Sequence, residues 1–427
     1  MKLSPSLIPA LISTAWAAAI PDTSDTSVAA FEDNHYDAVV VGGGPSGLAA
    51  LSGLARVRRK VLLIDSGVYR NAPTRHMHDV LGFDGVTPAY FRWAARKQIE
   101  FYDTIQMTNG TVVSITAPDA TINSNTTTPY FTVTTAFDGG SDATRNISAR
   151  RIILGTGLRD LLSDTPGIRQ NFGEGLYWCP WCDGHEHADQ PFGVIGPLSS
   201  VPSNVREVST LNKDIIVFVN GTDTEDNRKA LDTASPGWQS LLQYRNITIE
   251  NRTISAVVRL RDGSTANNGT NATAAALPSV EEYDLFRVDF EEGPSIERAA
   301  FILSIANEQA SWVGRDMGVA LYGEGRMYTD SNLLTNIKGV YAIGDANLDN
   351  STNVPHAMYT GKRAAVNCHL DLAKEEASKD IYIEQLNSSS SGSTKRSVPP
   401  TPLDPRALWN VVNGDLDDVL FAGEYDQ

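Results

Sequence analysis

The sequence predicts an α/β fold with two three-layer domains, the second inserted into the first. Two buried strands, at 38–41 and 61–65, flank a helical segment, which is the βαβ opening of a parallel sheet. A second α/β block begins at 192–196 and continues with a strand at 214–219. The first block resumes near Ser304, so we expect one Rossmann-like nucleotide-binding domain to lie inside another.

The first twenty residues are typical of a secretory signal peptide. Lys2 precedes an apolar run from Leu7 to Ala19, and small residues stand before Ile20, which predicts cleavage near Ala19. The run is shorter than the roughly 20 apolar residues of a membrane span, so we predict no membrane anchor. Residues 20–35 are acidic and lack periodicity, which predicts a flexible mature N-terminus.

Ten Asn-x-Ser/Thr sequons follow this leader. Such a density behind a signal peptide favours N-glycosylation and a location in the secretory lumen or outside the cell. The sequons begin at Asn109, Asn125, Asn146, Asn220, Asn246, Asn251, Asn268, Asn271, Asn350 and Asn387.

The length of 427 residues fits two domains with appendages. We expect the first domain at 36–165 and 304–380 and the inserted domain at 166–303. Residues 381–427 are expected to form a linker and a C-terminal tail, because Ser and Pro dominate 387–404. Between strands, 111–137 alternate apolar and polar residues as antiparallel strands do, and 262–280 have the composition of a loop insertion.

Charge and cysteine content exclude several classes of protein. A formal net charge of -16 disfavours a nucleic-acid partner, because such proteins need a basic face. Only three cysteines are present, too few for a scaffold held by disulfides. We therefore expect Cys179 and Cys182 to serve chemistry, and Cys368 to be a buried, inert thiol in a helix.

A glycine-rich turn follows the first strand. It reads G-x-G-x-x-G: Gly42 permits the tight turn, Gly44 lets the backbone approach a pyrophosphate, and Gly47 allows close helix packing. Asp65 ends the second strand about 20 residues on, where a carboxylate takes ribose hydroxyls. The alternative is a glycine turn without a ligand. The predicted dinucleotide-binding residues here are Gly42, Gly44, Pro45, Ser46, Gly47 and Asp65.

The run Cys-Pro-Trp-Cys-Asp-Gly spans residues 179–184. Two cysteines at this spacing can close a small disulfide, and a helix N-terminus beside them lowers a thiol pKa. A static structural disulfide and half of a zinc site are the alternatives. Zinc needs two further ligands, and His185 and His187 stand too close to Cys182 for a normal closed site. A redox-active pair is therefore the favoured interpretation.

These motifs, in this order, resemble the low-molecular-weight thioredoxin reductase family, the class-II pyridine nucleotide-disulphide oxidoreductases. The resemblance covers most of residues 36–375 and rests on the glycine-rich unit, on the turn at 154–157, on the cysteine pair and on Gly344-Asp345. It implies an enzyme with bound FAD, thiol–disulphide chemistry and a homodimeric assembly.

The resemblance also implies roles for single residues near the flavin. Asp345, after Gly344, holds the flavin ribityl chain and pyrophosphate, and the turn at Thr156-Gly157 closes over the FAD. A helix is expected to open at 359–361, and the backbone before it, including Val354, faces the isoalloxazine.

For the redox pair the resemblance implies an order of events. Cys182 lies nearest the flavin, Cys179 exchanges with the substrate, and Asp183 shuttles a proton.

One departure from the family concerns the second nucleotide site. A reductase carries a second G-x-G-x-x-G/A there, followed by a basic cluster for the 2′-phosphate of NADPH. This chain has Leu198 at the position of close backbone approach, Val201 for the third small residue, and no arginine in 219–222. A side chain at the close-approach position obstructs the phosphates, which argues against NADPH binding.

Without NADPH the electron flow is expected to reverse, from a dithiol through the cysteine pair and FAD to O2. This is similar to the fungal dithiol oxidases of the gliotoxin and holomycin type, so the substrate is expected to be a small-molecule dithiol or a peptide thiol. His356 corresponds to their flavin-facing histidine and could deprotonate the substrate thiol, although packing at a helix start explains it equally well. His76 and His78 are weaker candidates for contact with flavin or substrate.

Two other functions stay open at this point. One is an NADPH-dependent disulphide reductase with an unusual nucleotide loop. The other is a non-enzymatic flavin-binding protein in which the cysteines form a static disulfide.

Overall fold

A computed structural model describes residues 34–118, 130–137, 144–266 and 281–390. The chain divides into two compact units, Met1–Leu370 and Asp371–Gln427, and the sheets described below belong to the first. The predicted signal peptide lies outside the described residues, as do the sequons at Asn125, Asn268 and Asn271.

The strands are β1 (His35–Val41), β2 (Val61–Asp65), β3 (Ile105–Thr116), β4 (Phe131–Phe137), β5 (Thr144–Leu154), β6 (Leu158–Leu161), β7 (Leu176–Tyr177), β8 (Phe192–Ile195), β9 (Ile215–Phe218), β10 (Thr248–Glu250), β11 (Ile254–Arg261), β12 (Leu285–Phe290), β13 (Ile296–Arg298), β14 (Ala300–Leu303), β15 (Ala306–Gln309), β16 (Leu321–Tyr322), β17 (Arg326–Met327) and β18 (Val340–Ala342). The α-helices are α1 (Pro45–Ala55), α2 (Pro88–Ile99), α3 (Ile168–Asn171), α4 (Pro180–Asp183), α5 (Val201–Val208), α6 (Glu225–Ala234), α7 (Trp238–Tyr244), α8 (Gly263–Ala266), α9 (Val313–Asp316) and α10 (Val354–Ser390).

The first sheet places five parallel strands in the order β3-β2-β1-β5-β18. β3 and β5 are long, and their outer halves pair antiparallel with β4, as the alternation in 111–137 predicts. The strand β1 is a continuous apolar run because helices and strands cover both of its faces, and Ala38, Val39 and Val40 are fully buried.

The second sheet is also parallel, in the order β10-β9-β8-β14-β7. A three-stranded antiparallel sheet, β11-β12-β13, is formed by the residues between β10 and β14. The chain leaves the first sheet after β5 and returns to it at β18, and the two connecting segments, β6 and β15, pair antiparallel. The predicted α/β class with two Rossmann-like sheets is confirmed, whereas the predicted division of the sheets into two domains stays a prediction.

Three predicted boundaries are wrong. The last helix begins at Val354, not near Gly361, because Asn353 caps it: the Asn353 side-chain oxygen accepts the N–H of His356 at 2.8 Å. It also runs to Ser390, through residues assigned to linker and tail, where ion pairs such as Lys379–Glu375 at 3.0 Å support a helix. At the other end, β1 already includes His35 of the expected flexible segment.

No helix within the described residues is long and apolar enough to cross a membrane.

Candidate active site

The carboxyl ends of three neighbouring parallel strands meet at one edge of the first sheet. Gly155, after β5, donates its N–H to Val41 O at 2.9 Å, and Ile343, after β18, donates to Leu154 O at 3.0 Å. Gly42 has φ +108°, and a Cβ there would lie 2.3 Å from the Gly155 oxygen, so only glycine fits. Such an edge is where nucleotides bind in open α/β sheets.

The glycine-rich turn leaves room for a ligand at the start of α1. A Cβ at Gly44 would meet nothing within 4 Å, whereas a Cβ at Gly47 would lie 1.9 Å from Gly42 O. Pro45 and Ser46 follow in the first turn of α1, which has no side-chain cap, so its N–H groups lack an intrahelical acceptor. These donors and the helix dipole favour a phosphate anion.

Asp65 lies at the end of β2 and is buried against Gly43. Its carboxylate accepts hydrogen bonds from the Tyr69 hydroxyl, the Arg96 guanidinium and the Gly67 N–H. A carboxylate offers about four acceptor positions, so these contacts leave capacity for a ribose hydroxyl. The predicted ribose contact of Asp65 stays a prediction.

The turn after β5 and the segment after β18 lie beside this cradle. The Thr156 hydroxyl oxygen is buried and has no hydrogen-bond partner among the described residues, and Gly157 adopts φ +68°. Gly344 donates its N–H to the Thr360 hydroxyl at 2.9 Å, and a Cβ at Gly344 would lie 2.7 Å from Ser46 Oγ. The predicted flavin residues of four separate segments are therefore brought together.

Arg70 is a buried cation that sequence reasoning missed. Its guanidinium pairs with Asp160 at 2.7 Å and with Asp345 at 3.0 Å, and it lies 5.4 Å from the centre of the Trp178 ring. Burial raises the pKa of the Asp345 carboxyl, and the charge of Arg70 opposes this shift. Arg70 thus joins the Gly344-Asp345 turn to the segment that leads into the cysteine pair.

Cys179 and Cys182 form a disulfide at the edge of the second sheet. Cys179 occupies the N-cap position of α4, directly after β7, and Gly184 ends the helix because a Cβ there would lie 2.3 Å from Pro180 O. Trp181 projects from the loop and is 69% exposed. Cys368 is buried in α10 and lies outside this disulfide.

Asp183 follows the disulfide directly, and one of its carboxylate oxygens is buried without a hydrogen-bond partner among the described residues. Burial raises the pKa of Asp183 well above its usual value, and the negative charges of Glu282 and Glu186 add to the effect. This shift favours the protonated form of the carboxyl, which a proton donor to a thiolate requires.

His356 lies in the first turn of α10, one turn before Thr360. Its Nε2 is 2.7 Å from Asp349 Oδ2, and its backbone N–H is bound by Asn353. Val354, the first residue of the helix, packs with an apolar cluster that includes Met77. The carboxylate partner Asp349 was not found from the sequence.

A tight loop carries His76 and His78 to the redox segment. Met77 and Val86 form an antiparallel bridge at the base of this loop. His78 Nε2 is 3.5 Å from Glu186, and its Nδ1 is 3.5 Å from Asp84. The half-exposed His76 lies 3.8 Å from Glu282. The two histidines thus lie against residues that neighbour Asp183.

A second buried cation, Arg75, binds three carboxylates of the inserted segment. It pairs with Asp284 at 2.8 Å, with Asp262 at 2.8 Å and with Glu282. His187 Nε2 lies 3.1 Å from Asp284, so His187 is a buried structural partner of this carboxylate. The guanidinium of Arg75 already binds all three acids, which argues against a metal at this cluster.

The second glycine turn, at 196–201, uses its backbone donors within the protein, whereas the first turn, at 42–47, leaves room for a ligand. Leu198, at the position matching Gly44, is fully buried in the core of the second sheet. Its N–H donates to Thr222 Oγ1 at 2.9 Å, and the N–H of Ser200 donates to Pro197 O at 2.9 Å. Donors that would bind a pyrophosphate are therefore used within the protein.

The residues described fit a bound FAD. The open turn at Gly44, the uncapped start of α1, the unpartnered hydroxyl of Thr156 and the buried carboxyl of Asp345 could hold the pyrophosphate and ribityl groups. The isoalloxazine would supply the exchange of two electrons with thiols.

Comparisons with known proteins agree with this site. Residues 36–201, which include the first glycine turn and the cysteine pair, match the pyridine nucleotide-disulphide oxidoreductase family. A probable thioredoxin reductase of Arthroderma benhamiae is 43% identical over 350 residues, which cover 81% of this chain and 82% of that protein. The thioredoxin reductase tcpT of Claviceps purpurea is 28% identical over 338 residues, covering 77% of this chain and 91% of that protein.

A solved structure agrees as well. The crystal structure of HlmI is 27% identical and superimposes with a TM-score of 0.67 over 83% of this chain and 97% of that one. With a disulfide-forming cysteine pair, residues that fit a bound FAD and a relative of 43% identity, the chain belongs to the pyridine nucleotide-disulphide oxidoreductase family as a thioredoxin reductase-like FAD-dependent enzyme.

Proposed function

We propose that this enzyme is a dithiol oxidase, which converts a small-molecule dithiol and O2 into a cyclic disulfide and hydrogen peroxide. Two thiols lose two electrons and two protons, and O2 takes up both pairs, so the reaction balances without another reductant. FAD would accept the electrons from the cysteine pair and pass them on to O2. We also propose that this reaction belongs to fungal secondary metabolism, since relatives such as tcpT come from fungi.

The observation that carries this proposal is the closed second nucleotide turn. The bond from the Leu198 N–H to Thr222 Oγ1, at 2.9 Å, uses the donor that would meet a pyrophosphate. The Leu198 side chain fills the core beneath, and Pro202, in the first turn of α5, has no N–H to offer. NADPH therefore lacks the contacts that the family uses for it.

Charge near this turn supports the same conclusion. The loop after β9 leads into α6, whose first turn contains Glu225 and Asp226. Arg228 does lie in this helix, but it pairs with Asp223 at 2.6 Å, and Lys229 pairs with Glu225 at 2.6 Å. The cations are matched by carboxylates, and the acidic helix start repels a 2′-phosphate.

The chain's own residues suit each step of a thiol–disulfide exchange. His356 takes the proton of a substrate thiol, and the thiolate attacks Cys179, which forms a mixed disulfide and releases Cys182 as a thiolate. Asp183, whose raised pKa favours the protonated form, stabilises that thiolate by donating to it. The second substrate thiol, after losing its proton, attacks the substrate sulfur of the mixed disulfide, which releases the product disulfide and Cys179 as a thiolate. The two reduced cysteines then hold the two electrons that FAD would accept.

Anaerobic spectroscopy of the flavin band tests this proposal. Dithiothreitol is expected to bleach the purified enzyme, and air is expected to restore the colour with one peroxide per disulfide. NADPH is expected to have little effect at the same concentration. Rapid bleaching by NADPH, with none by the dithiol, would overturn the proposal.

A second function is favoured by a different observation. The proteins from Arthroderma benhamiae and Claviceps purpurea bear the names of thioredoxin reductases, which implies electron flow from a pyridine nucleotide to a disulfide. The same experiment separates the two, because each reductant is added alone. A monothiol such as 2-mercaptoethanol serves as the matched control, since one thiol cannot close an intramolecular disulfide.

We also propose that the enzyme is a glycosylated protein of the secretory pathway and a homodimer. Exposure supports glycosylation, because the sequon asparagines whose burial is described are all exposed. These are Asn109, Asn146, Asn220, Asn246, Asn251 and Asn350. Treatment of the protein recovered from culture medium with an N-glycosidase, followed by mass analysis and by light scattering, tests both points.

A further inference from the structure

The histidine loop at 76–86 connects the redox segment to solvent. It lies between Val354, with which Met77, Val80 and Phe83 share an apolar cluster, and Glu186 of the redox segment. Backbone bonds fix its shape: Met77 and Val86 bridge, and the Asp79 N–H donates to Asp84 Oδ1 at 2.7 Å. The loop is thus held in place on both sides.

Along this loop the titratable groups become progressively more exposed. The side chain of Glu186 is 6% exposed and lies 3.5 Å from His78, which is 11% exposed. The other ring nitrogen of His78 lies 3.5 Å from Asp84, whose side chain is 38% exposed. An imidazole between two carboxylates can take a proton on one nitrogen and release one from the other.

The buried end of this series of titratable groups is Glu186, which lies close to the carboxyl of Asp183 in the sequence. Asp183, at the end of α4, is three residues before Glu186, and its carboxyl has a buried oxygen without a partner among the described residues. The negative charge of Glu186 adds to the rise in the pKa of Asp183. The other titratable groups facing this region are Tyr177, Glu282, His76 and His187, and Arg75 pairs with Glu282. Neither Glu186 nor His78 pairs with a cation of fixed charge in the described contacts.

We infer that His78 is a proton-transfer residue, which carries protons between Glu186 beside the redox helix and Asp84 at the surface. The inference deepens the proposed function, on which it rests for the direction of transfer. Oxidation of a dithiol frees two protons, of which reduced FAD would retain one, while the other leaves the site until the reduction of O2 takes it up again. A buried Asp183 also has to return to its starting state before the next turnover. His78 supplies the route by which protons pass between the site and water.

Stopped-flow reduction of the FAD-bound enzyme tests this inference. The variants are His78→Asn, Asp84→Asn and, as the matched control, His35→Asn, whose histidine is exposed at the first residue of β1. Flavin bleaching by dithiothreitol is followed together with proton release into weakly buffered solution containing a pH indicator. Bound FAD and thermal unfolding are measured for every variant.

We expect His78→Asn to slow bleaching and proton release together by about 100-fold, the lower end of the range for lost acid–base assistance. Added imidazole is expected to restore part of the rate in this variant and to leave His35→Asn unchanged. Asp84→Asn keeps His78 and is expected to slow proton release less.

Three results would overturn the inference. These are a wild-type rate in a folded, FAD-bound His78→Asn, a slow rate that imidazole does not raise, and, where His78→Asn does not fold, an Asp84→Asn variant that releases protons at the wild-type rate. If the wild type is bleached only by NADPH, the proposed function fails, and the same variants are compared with NADPH, because the cysteine pair then takes up protons by the same route.

Discussion

His356 Nε2 lies 2.7 Å from Asp349 Oδ2, across the loop that precedes α10. Asn353 fixes the same histidine from the backbone side by accepting its N–H at 2.8 Å. The carboxylate therefore orients the ring and the cap fixes the backbone that carries it, and Nδ1 remains as the nitrogen that can accept a proton from a substrate. A histidine that merely packs at a helix start would not need the carboxylate.

We predict that His356→Gln slows dithiol turnover by about 100-fold or more, because a general base is lost. Asp349→Asn is expected to lower kcat by a smaller factor with little change in KM, since it removes only the orienting partner. Steady-state oxygen consumption measures both constants. His35→Gln serves as the control, and equal activity of His356→Gln and this control would remove His356 from the mechanism.

Much of the site could be predicted because its residues lie in short local motifs. The glycine turn, the cysteine pair and Gly344-Asp345 each carry a spacing that the sequence displays. Arg70 and Asp349 could not be found in this way, because their partners Asp345 and His356 are identified only once the chain is folded. Long-range ion pairs have no spacing rule.

The limits of the secondary-structure elements could also be predicted only in part. The strand β2 was predicted at its observed limits, because five apolar or terminal residues between turns define it. The start of α10 is predicted five to seven residues late, because the cap depends on one side-chain bond from Asn353. Its end is missed because the Ser and Pro content of 387–404 indicates a linker, although 381–390 contain neither glycine nor proline to end the helix.

Substitution of either redox cysteine is predicted to stop dithiol turnover while FAD stays bound. Cys182→Ser removes the thiol expected nearest the flavin, and Cys179→Ser removes the thiol that exchanges with the substrate. Neither cysteine belongs to the glycine turn at Gly44 or to the turn at Thr156, so the ratio of flavin to protein absorbance is expected to match the wild type. Anaerobic bleaching by dithiothreitol measures the loss.

Cys368→Ala is the control for these variants. Cys368 is buried in α10 and is not part of the disulfide, so its replacement is expected to lower stability without stopping bleaching. Full activity in Cys182→Ser would show that the disulfide is static.

Leu198 is predicted to stabilise the second domain and not to block an otherwise competent NADPH site. Leu198→Ala leaves a cavity in a fully buried core and is expected to cost about 2–5 kcal/mol of the free energy of unfolding. NADPH is still expected not to bleach the flavin, because the N–H of residue 198 remains bound to Thr222. Urea unfolding and anaerobic spectra measure the two effects, and a gain of NADPH reduction would contradict the second.

The positive charge of Arg70 is predicted to stabilise the turn at Gly344-Asp345. Arg70→Met leaves the carboxylates of Asp160 and Asp345 without their buried cation, and breaking such a pair costs about 3–5 kcal/mol. The flavin content after purification is expected to fall as well, since Asp345 is predicted to contact FAD. Arg159→Met, at an exposed arginine that pairs with Glu308, is expected to change neither quantity.

Asp183 is predicted to make the enzyme less stable as the pH rises. Its pKa in the folded protein is raised well above that in the unfolded chain, so between the two values the folded state holds a proton that the unfolded state has lost. The stabilising contribution is complete below the unfolded pKa and is lost as the pH rises through the folded pKa.

Asn resembles the protonated acid and does not titrate, so Asp183→Asn removes this dependence. Urea unfolding across the pH range should therefore show the wild type losing stability relative to Asp183→Asn by up to about 1.4 kcal/mol per pH unit within that window. Parallel curves for the two proteins would mean that Asp183 is ionised in the folded enzyme, and it could then not donate the proton proposed for it.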